Sequence, residues 1–164
     1  MRKIVLIMFL LATPFIMVSC DDDEQILPRE DFFVAFETTF ATISKNSAQT
    51  VNIPVYVAAE RGEQVTVNIG IKNDPELLER PEYDGYSFAA ENTDFEFIHG
   101  PVLTYSIGAG YDTLRISPIA GGTPGNLILD LYLQSNSAGY KMGFFYGEEA
   151  DSTSHDRFLI VFTE

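Results

Sequence analysis

Four groups of residues in this chain carry side chains that could do chemistry. Cys20 is the only thiol among 164 residues, so an internal disulfide is excluded and any thiol chemistry falls on this one position. Ser154-His155-Asp156 holds the three residue types of a hydrolytic triad. A triad is assembled in space, however, and neighbours along a strand project to opposite faces, so the tripeptide reads as structural. The 24 Asp and Glu residues could supply the facing carboxylates of a glycoside hydrolase, but nothing in the sequence singles out a pair. Seven of them, Asp74, Glu76, Glu79, Glu82, Asp84, Glu91 and Asp94, lie in one segment that could gather around a cation, although a solvated acidic loop is the simpler reading. Finally, Tyr140, Phe144, Phe145 and Tyr146 place four rings in one glycine-rich stretch, where they form either a stacking platform for sugar or protein partners or a fold-back into the core.

Metal and cofactor signals are weak. The two histidines have no spaced ligand set around them, and His99, before Gly100-Pro101, reads as a turn residue. The phosphate-loop pattern is absent, and Gly108-Ala109-Gly110-Tyr111 reads as a hairpin turn rather than a phosphate cradle. The expectation is a protein that is not an enzyme and has neither metal nor cofactor.

The thiol has a specific context. Arg2-Lys3, an apolar run from Ile4 to Val18, and Ser19 before Cys20 have the parts of a secretory signal. Met17-Val18-Ser19-Cys20 resembles the lipobox of bacterial lipoproteins, with Met17 where Leu is usual. That resemblance implies cleavage before Cys20 and lipid on its sulfur. The acidic run Asp21-Asp22-Asp23-Glu24 resembles the surface-export signal of Bacteroidota lipoproteins and implies a protein lipid-anchored on the outer face of the outer membrane. Several acyl chains anchor stably where one does not, so no transmembrane helix is required.

Loss of residues 1–19 leaves 145 residues and takes Lys+Arg from 10 to 8 against 24 Asp+Glu, a formal charge near −16. This length suits one core. The charge argues against nucleic acid and against anionic lipid head groups as partners. Residues 20–31 read as an acidic, lipidated linker, and residues 32–164 as one domain.

Within that domain the hydrophobic period is two. Val51, Ile53, Val55 and Val57 share a face, as do Val65, Val67, Ile69 and Ile71, and as do Leu127, Leu129, Leu131 and Leu133. Strands are predicted at Phe32 to Phe36, Thr50 to Val57, Gln64 to Ile71, Phe95 to Ile98, Val102 to Tyr105, Tyr111 to Ser117, Asn126 to Leu133 and Arg157 to Phe162, each with one face buried. Arg61-Gly62-Glu63 reads as the turn of a hairpin joining the second and third. Pro54 donates no hydrogen bond and suggests an edge strand or a bulge. The one helix candidate, Pro75 to Glu79, is cut short by Pro81. Short strands of this kind define an all-β chain folded as a single antiparallel immunoglobulin-like β-sandwich of about seven or eight strands.

The order of these elements from Phe33 to Phe162 resembles the Calx-beta domain. The matching places include Asn92-Thr93-Asp94-Phe95, Val102-Leu103-Thr104-Tyr105, Leu129-Asp130-Leu131-Tyr132-Leu133 and His155-Asp156-Arg157-Phe158-Leu159-Ile160. The calcium-binding members of that family use several carboxylates, of which only Asp94 and Asp130 stand at matching positions here. Ser44-Lys45-Asn46-Ser47 and Gly125-Asn126 occupy two of the other places. Two scattered carboxylates fall short of the six to eight oxygens that calcium takes. The chain also resembles Bacteroidota lipoproteins associated with glycan uptake. Together these features imply a surface lipoprotein that serves as an accessory binding module for a glycan or another envelope protein; a structural or adhesin-like spacer without a small-molecule site is the alternative.

If Cys20 is the acylated residue, Cys20→Ala abolishes incorporation of a fatty-acid probe into the protein; a variant that still takes up the label contradicts the lipobox reading.

Overall fold

The computed structural model describes residues 28–60, 62–143 and 154–164. Cys20, Asp21, Asp22, Asp23, Glu24, Phe144, Phe145 and Tyr146 lie outside the described residues. In chain order the elements are β1 (Phe33–Phe36), β2 (Phe40–Ser44), β3 (Val51–Ala58), β4 (Val65–Ile71), α1 (Pro75–Leu78), β5 (Ser87–Phe88), β6 (Phe95–Phe97), β7 (Val102–Tyr105), β8 (Gly110–Pro118), β9 (Leu127–Asn136), β10 (Lys141–Met142) and β11 (Arg157–Thr163). They form two sheets, one in the order β10-β1-β3-β8-β6 and the other β2-β11-β9-β4-β7, with β5 added alongside β9. The eight predicted strands are all present, with small shifts at their ends.

The core between the sheets follows from the alternation. Ile53, Val55 and Val57 of β3 and Leu114 and Ile116 of β8 meet Val65 and Val67 of β4, the Leu127, Leu129 and Leu131 row of β9, and Phe158, Ile160 and Phe162 of β11, all buried. Each such aliphatic side chain contributes roughly 1.5–3 kcal/mol by leaving water. One hydrogen bond ties the layers directly: the buried Tyr105 hydroxyl on β7 donates to the Val55 carbonyl on β3 at 2.8 Å. Burial pushes its phenol well above the ordinary value, so this donor stays protonated.

Pairing departs from the sequence reading in three places. β3 and β4 are not a hairpin, because they belong to opposite sheets; Gly62 sits in a connection that crosses the sandwich. The segment around Gly108 is likewise a crossing turn, from β7 to β8, and not a hairpin. The two crossings pack on each other: the Gly62 amide donates to the Ile107 carbonyl at 3.0 Å, and a Cβ on Gly108 would stand 2.5 Å from the Glu63 carbonyl oxygen. Two apolar faces that each need a cover can be satisfied across the layers as readily as side by side, and alternation alone does not distinguish these solutions.

Pro54 is the third departure. β3 lies between β1 and β8 and is no edge. The Pro54 carbonyl accepts from the amide of Glu37, one residue past the end of β1, at 3.0 Å. The amide and carbonyl of one strand residue face the same side, so the donor that proline lacks would have pointed to where the neighbouring strand has already ended.

The chain after β1 turns away at Glu37 and enters the second sheet as β2, parallel to β11, with Phe40 beside Leu159. This strand was not predicted; as an edge element it buries little, and only Ala41 and Ile43 of its side chains pack on the core. β5 and β10, of two residues each, carry no period at all. β9 is also not half buried: Ile128 and Asp130 on its outer side are 0% and 2% exposed. The segment from Lys72 to Ala89 is tied to the side of β9 at both ends, through Lys72 N to Asp130 O at 2.9 Å and Ala89 N to Ile128 O at 2.8 Å, and between them Leu77 stands beside Asp130.

Candidate functional site

Asp94 and Asp130, the two carboxylates singled out by the sequence resemblance, are the only charged side chains in the described core. Each is held by protein groups. Asp94 accepts from the amides of Ala90 at 2.7 Å and Thr123 at 2.6 Å, and from the Thr123 hydroxyl at 3.1 Å. Gly122 admits this approach, since a Cβ there would collide with the Asp94 carboxylate and stand 2.6 Å from the Thr93 carbonyl oxygen. Nearby, the Lys45 ammonium donates to the carbonyls of Thr123 and Gly125 at 3.0 and 2.6 Å. Burial alone would raise the pKa of Asp94, but these hydrogen bonds and the Lys45 charge outweigh it and hold the group below its ordinary value. Asp94 therefore staples two loops together.

Asp130 stands on the outward face of β9 and receives a two-pronged contact from Arg157 on β11: Nε to Oδ1 at 3.2 Å and Nη2 to Oδ2 at 2.5 Å. The remaining guanidinium nitrogen lies 3.6 Å from Asp74, which also pairs with Lys72 at 3.3 Å. Asp74 caps α1 by accepting from the Glu76 amide, and that bond, more than its two cationic neighbours, lowers its pKa. The Asp130 contact raises that of Arg157.

Beside this cluster is an open cavity of about 310 Å³, walled by Thr39 before β2, Leu77 and Arg80 around α1, and Asp130, Ser154, Asp156, Arg157 and Leu159. Two members of the Ser154-His155-Asp156 tripeptide line it, while the His155 ring turns elsewhere and its Nδ1–H donates to the Phe36 carbonyl at 2.7 Å. The arrangement is not a triad. The acidic residues of the 72–94 segment likewise divide: Asp94 and Asp74 are engaged as described, Glu76, Glu79, Glu82, Asp84 and Glu91 are exposed, and no group of three or more metal-ligating side chains converges among the described residues. His99 is exposed in the bend after β6.

A second feature lies on the outer face of the first sheet, which sequence reasoning missed. Tyr56 on β3 and Tyr111 on β8 are register partners. Their ring centroids are 4.6 Å apart at an interplanar angle of 36°, and Phe33 on β1 meets Tyr56 edge-on at 6.1 Å. Tyr111 is 63% exposed. The available signal was that each ring occupies an outward position of a strand, where polar residues are the rule. Of the four rings singled out from sequence, Tyr140 is described: it is half buried, packs edge-on against Phe32 at 5.4 Å, and lines a cavity of about 290 Å³ with Arg29, Glu60 and Glu63.

No known protein family and no curated protein matches the chain at the level of sequence. Solved structures do match its fold. The apo form of the Calx CBD1 domain superposes with a TM-score of 0.55 at 15% identity, over 82% of this chain and 97% of that one. The CBD12 segment of CALX1.2 gives 0.54 at 14% identity, over 80% and 44%. A candidate carbohydrate-binding protein from Bacteroides ovatus gives 0.52 at 13% identity, over 80% of this chain and 36% of that longer one. The chain is thus a Calx-beta-like β-sandwich.

Because Asp94 has a lowered pKa in the folded state, its contribution is complete above the ordinary value of 3.8 and is lost as pH falls through the lower folded value. Asp94→Asn should cost about 1–3 kcal/mol at neutral pH and flatten the acid limb of a plot of melting temperature against pH; an unchanged acid limb contradicts the assignment.

Proposed function

We propose that this chain is the binding domain of a lipoprotein tethered through Cys20 to the outer-membrane surface, without enzymatic activity, and that its partner is a glycan held on the first sheet. The observation that carries this reading is the in-register Tyr56–Tyr111 pair on an outer sheet face, with the Tyr111 ring 63% exposed. Contiguous aromatic surface on an outer sheet face, here Tyr111 on Tyr56 with Phe33 beside it, marks a place where a partner can dock. Pyranose rings present flat C–H faces that pack on such aromatic surfaces, and the phenol hydroxyl adds a hydrogen-bonding tip. The Bacteroides ovatus neighbour, named for carbohydrate binding, supports the same class of ligand. The formal charge of −14 for the full chain disfavours strongly anionic polysaccharides and leaves neutral ones.

The test is retention of the detergent-solubilised lipoprotein on an array of neutral polysaccharides. Tyr56→Ala and Tyr111→Ala should each weaken retention by about tenfold or more, equivalent to about 1.4 kcal/mol, and Tyr111→Ala should cost no more stability than one cross-strand ring pair, about 0.2–1 kcal/mol. Unchanged retention by both variants overturns the reading.

A further inference from the structure

From the second sheet we infer a separate binding site: the cavity beside Asp130 takes a single neutral pyranose unit. The inference rests on the preceding reading for the class of ligand, and not for the location, since the cavity and the Tyr56–Tyr111 pair belong to different sheets.

Three observations point to this ligand. The first is size: about 310 Å³ lies at the low end of the roughly 300–1,000 Å³ of small-molecule sites, enough for one ring or two and too small for a protein element. The second is charge. In a strongly acidic chain the wall is balanced, with the guanidiniums of Arg80 and Arg157 set against the carboxylates of Asp130 and Asp156. A balanced wall attracts neither an anion nor a cation. The Asp130 oxygens are taken by Arg157, and the donors and acceptors left side by side are those of Arg80, Arg157, Ser154 and Asp156; a sugar hydroxyl, which both donates and accepts, satisfies both at once. The Asp130 contact holds Arg157 in a fixed orientation, so its donors need not be ordered when a ligand arrives.

The third observation is the apolar side. Leu77 and Leu159 contribute the aliphatic part of the wall. Phe40, 52% exposed, stands beside Leu159 in the register of β2 on β11. The C–H face of a pyranose would lie on this surface while its hydroxyls meet the charged residues, a two-sided recognition that a solvated ion pair alone does not provide.

The experiment follows the Arg157 Nε–Hε signal of the full lipoprotein in detergent by NMR during titration with methyl glycosides of glucose, galactose, mannose and N-acetylglucosamine, with glucuronate as the anionic control. The expected result is saturable movement of that signal with at least one neutral glycoside and none with glucuronate. Leu159→Trp, which fills the cavity, and Arg80→Ala, which removes an exposed side chain, should each weaken that binding by about tenfold or more; the second variant keeps the test valid if the first fails to fold. No movement with any neutral glycoside, or movement undiminished in Arg80→Ala, overturns the inference. If the polysaccharide array still shows retention that depends on Tyr56 and Tyr111, only the cavity assignment falls; if nothing is retained there either, both readings fall.

Discussion

An ionised carboxylate removed from water costs several kcal/mol unless it is paired and hydrogen-bonded, and the second sheet is organised around that requirement at Asp130. Its side chain is 2% exposed although it stands on the outward face of β9. Arg157 meets it with two nitrogens and then reaches Asp74, the residue that caps α1. One buried charge thus selects a guanidinium on the adjacent strand and helps fix the segment after β4 against the sheet. The cavity wall is a consequence of the same pairing, since Asp130 and Arg157 form its polar end.

Asp94 answers the same physical demand by another route. It takes backbone amides and a hydroxyl instead of a cation, with Lys45 nearby as a longer-range charge. Both carboxylates are directed to protein groups, Asp94 to loop amides and a hydroxyl and Asp130 to a guanidinium. What the two layers expose differs: an aromatic pair on the first sheet, and on the second a charge-balanced cavity whose wall includes Leu159, the register partner of Phe40.

Strand positions were legible because a two-layer sandwich imposes a period of two on every strand that buries one face; β3 and β4 have that period without interruption, and β9 keeps it in the Leu127 to Leu133 row although its outer side is covered as well. Their partners were not legible. The assignment of β3 and β4 to opposite sheets depends on β1, β8, β9 and β7, elements distant in sequence, and a local turn at Gly62 serves either arrangement. Pro54 led to an edge or a bulge because its missing donor was considered without the short length of β1. The candidate site was read only in part. Asp130 drew notice as a leftover ligand, while Ile128 and Tyr132 on the same side of β9 already marked that face as covered and pointed to a partner such as Arg157. Tyr56 and Tyr111 became a pair only through the register of β3 on β8.

The central claim is that Asp130 and Arg157 act as one unit. A double-mutant cycle on Asp130→Asn and Arg157→Gln, read by chemical denaturation, measures this directly. The account predicts that each single change is costly and that the double variant recovers about 1–3 kcal/mol relative to their sum, because a buried charge left alone is worse than none. Strictly additive losses would contradict it.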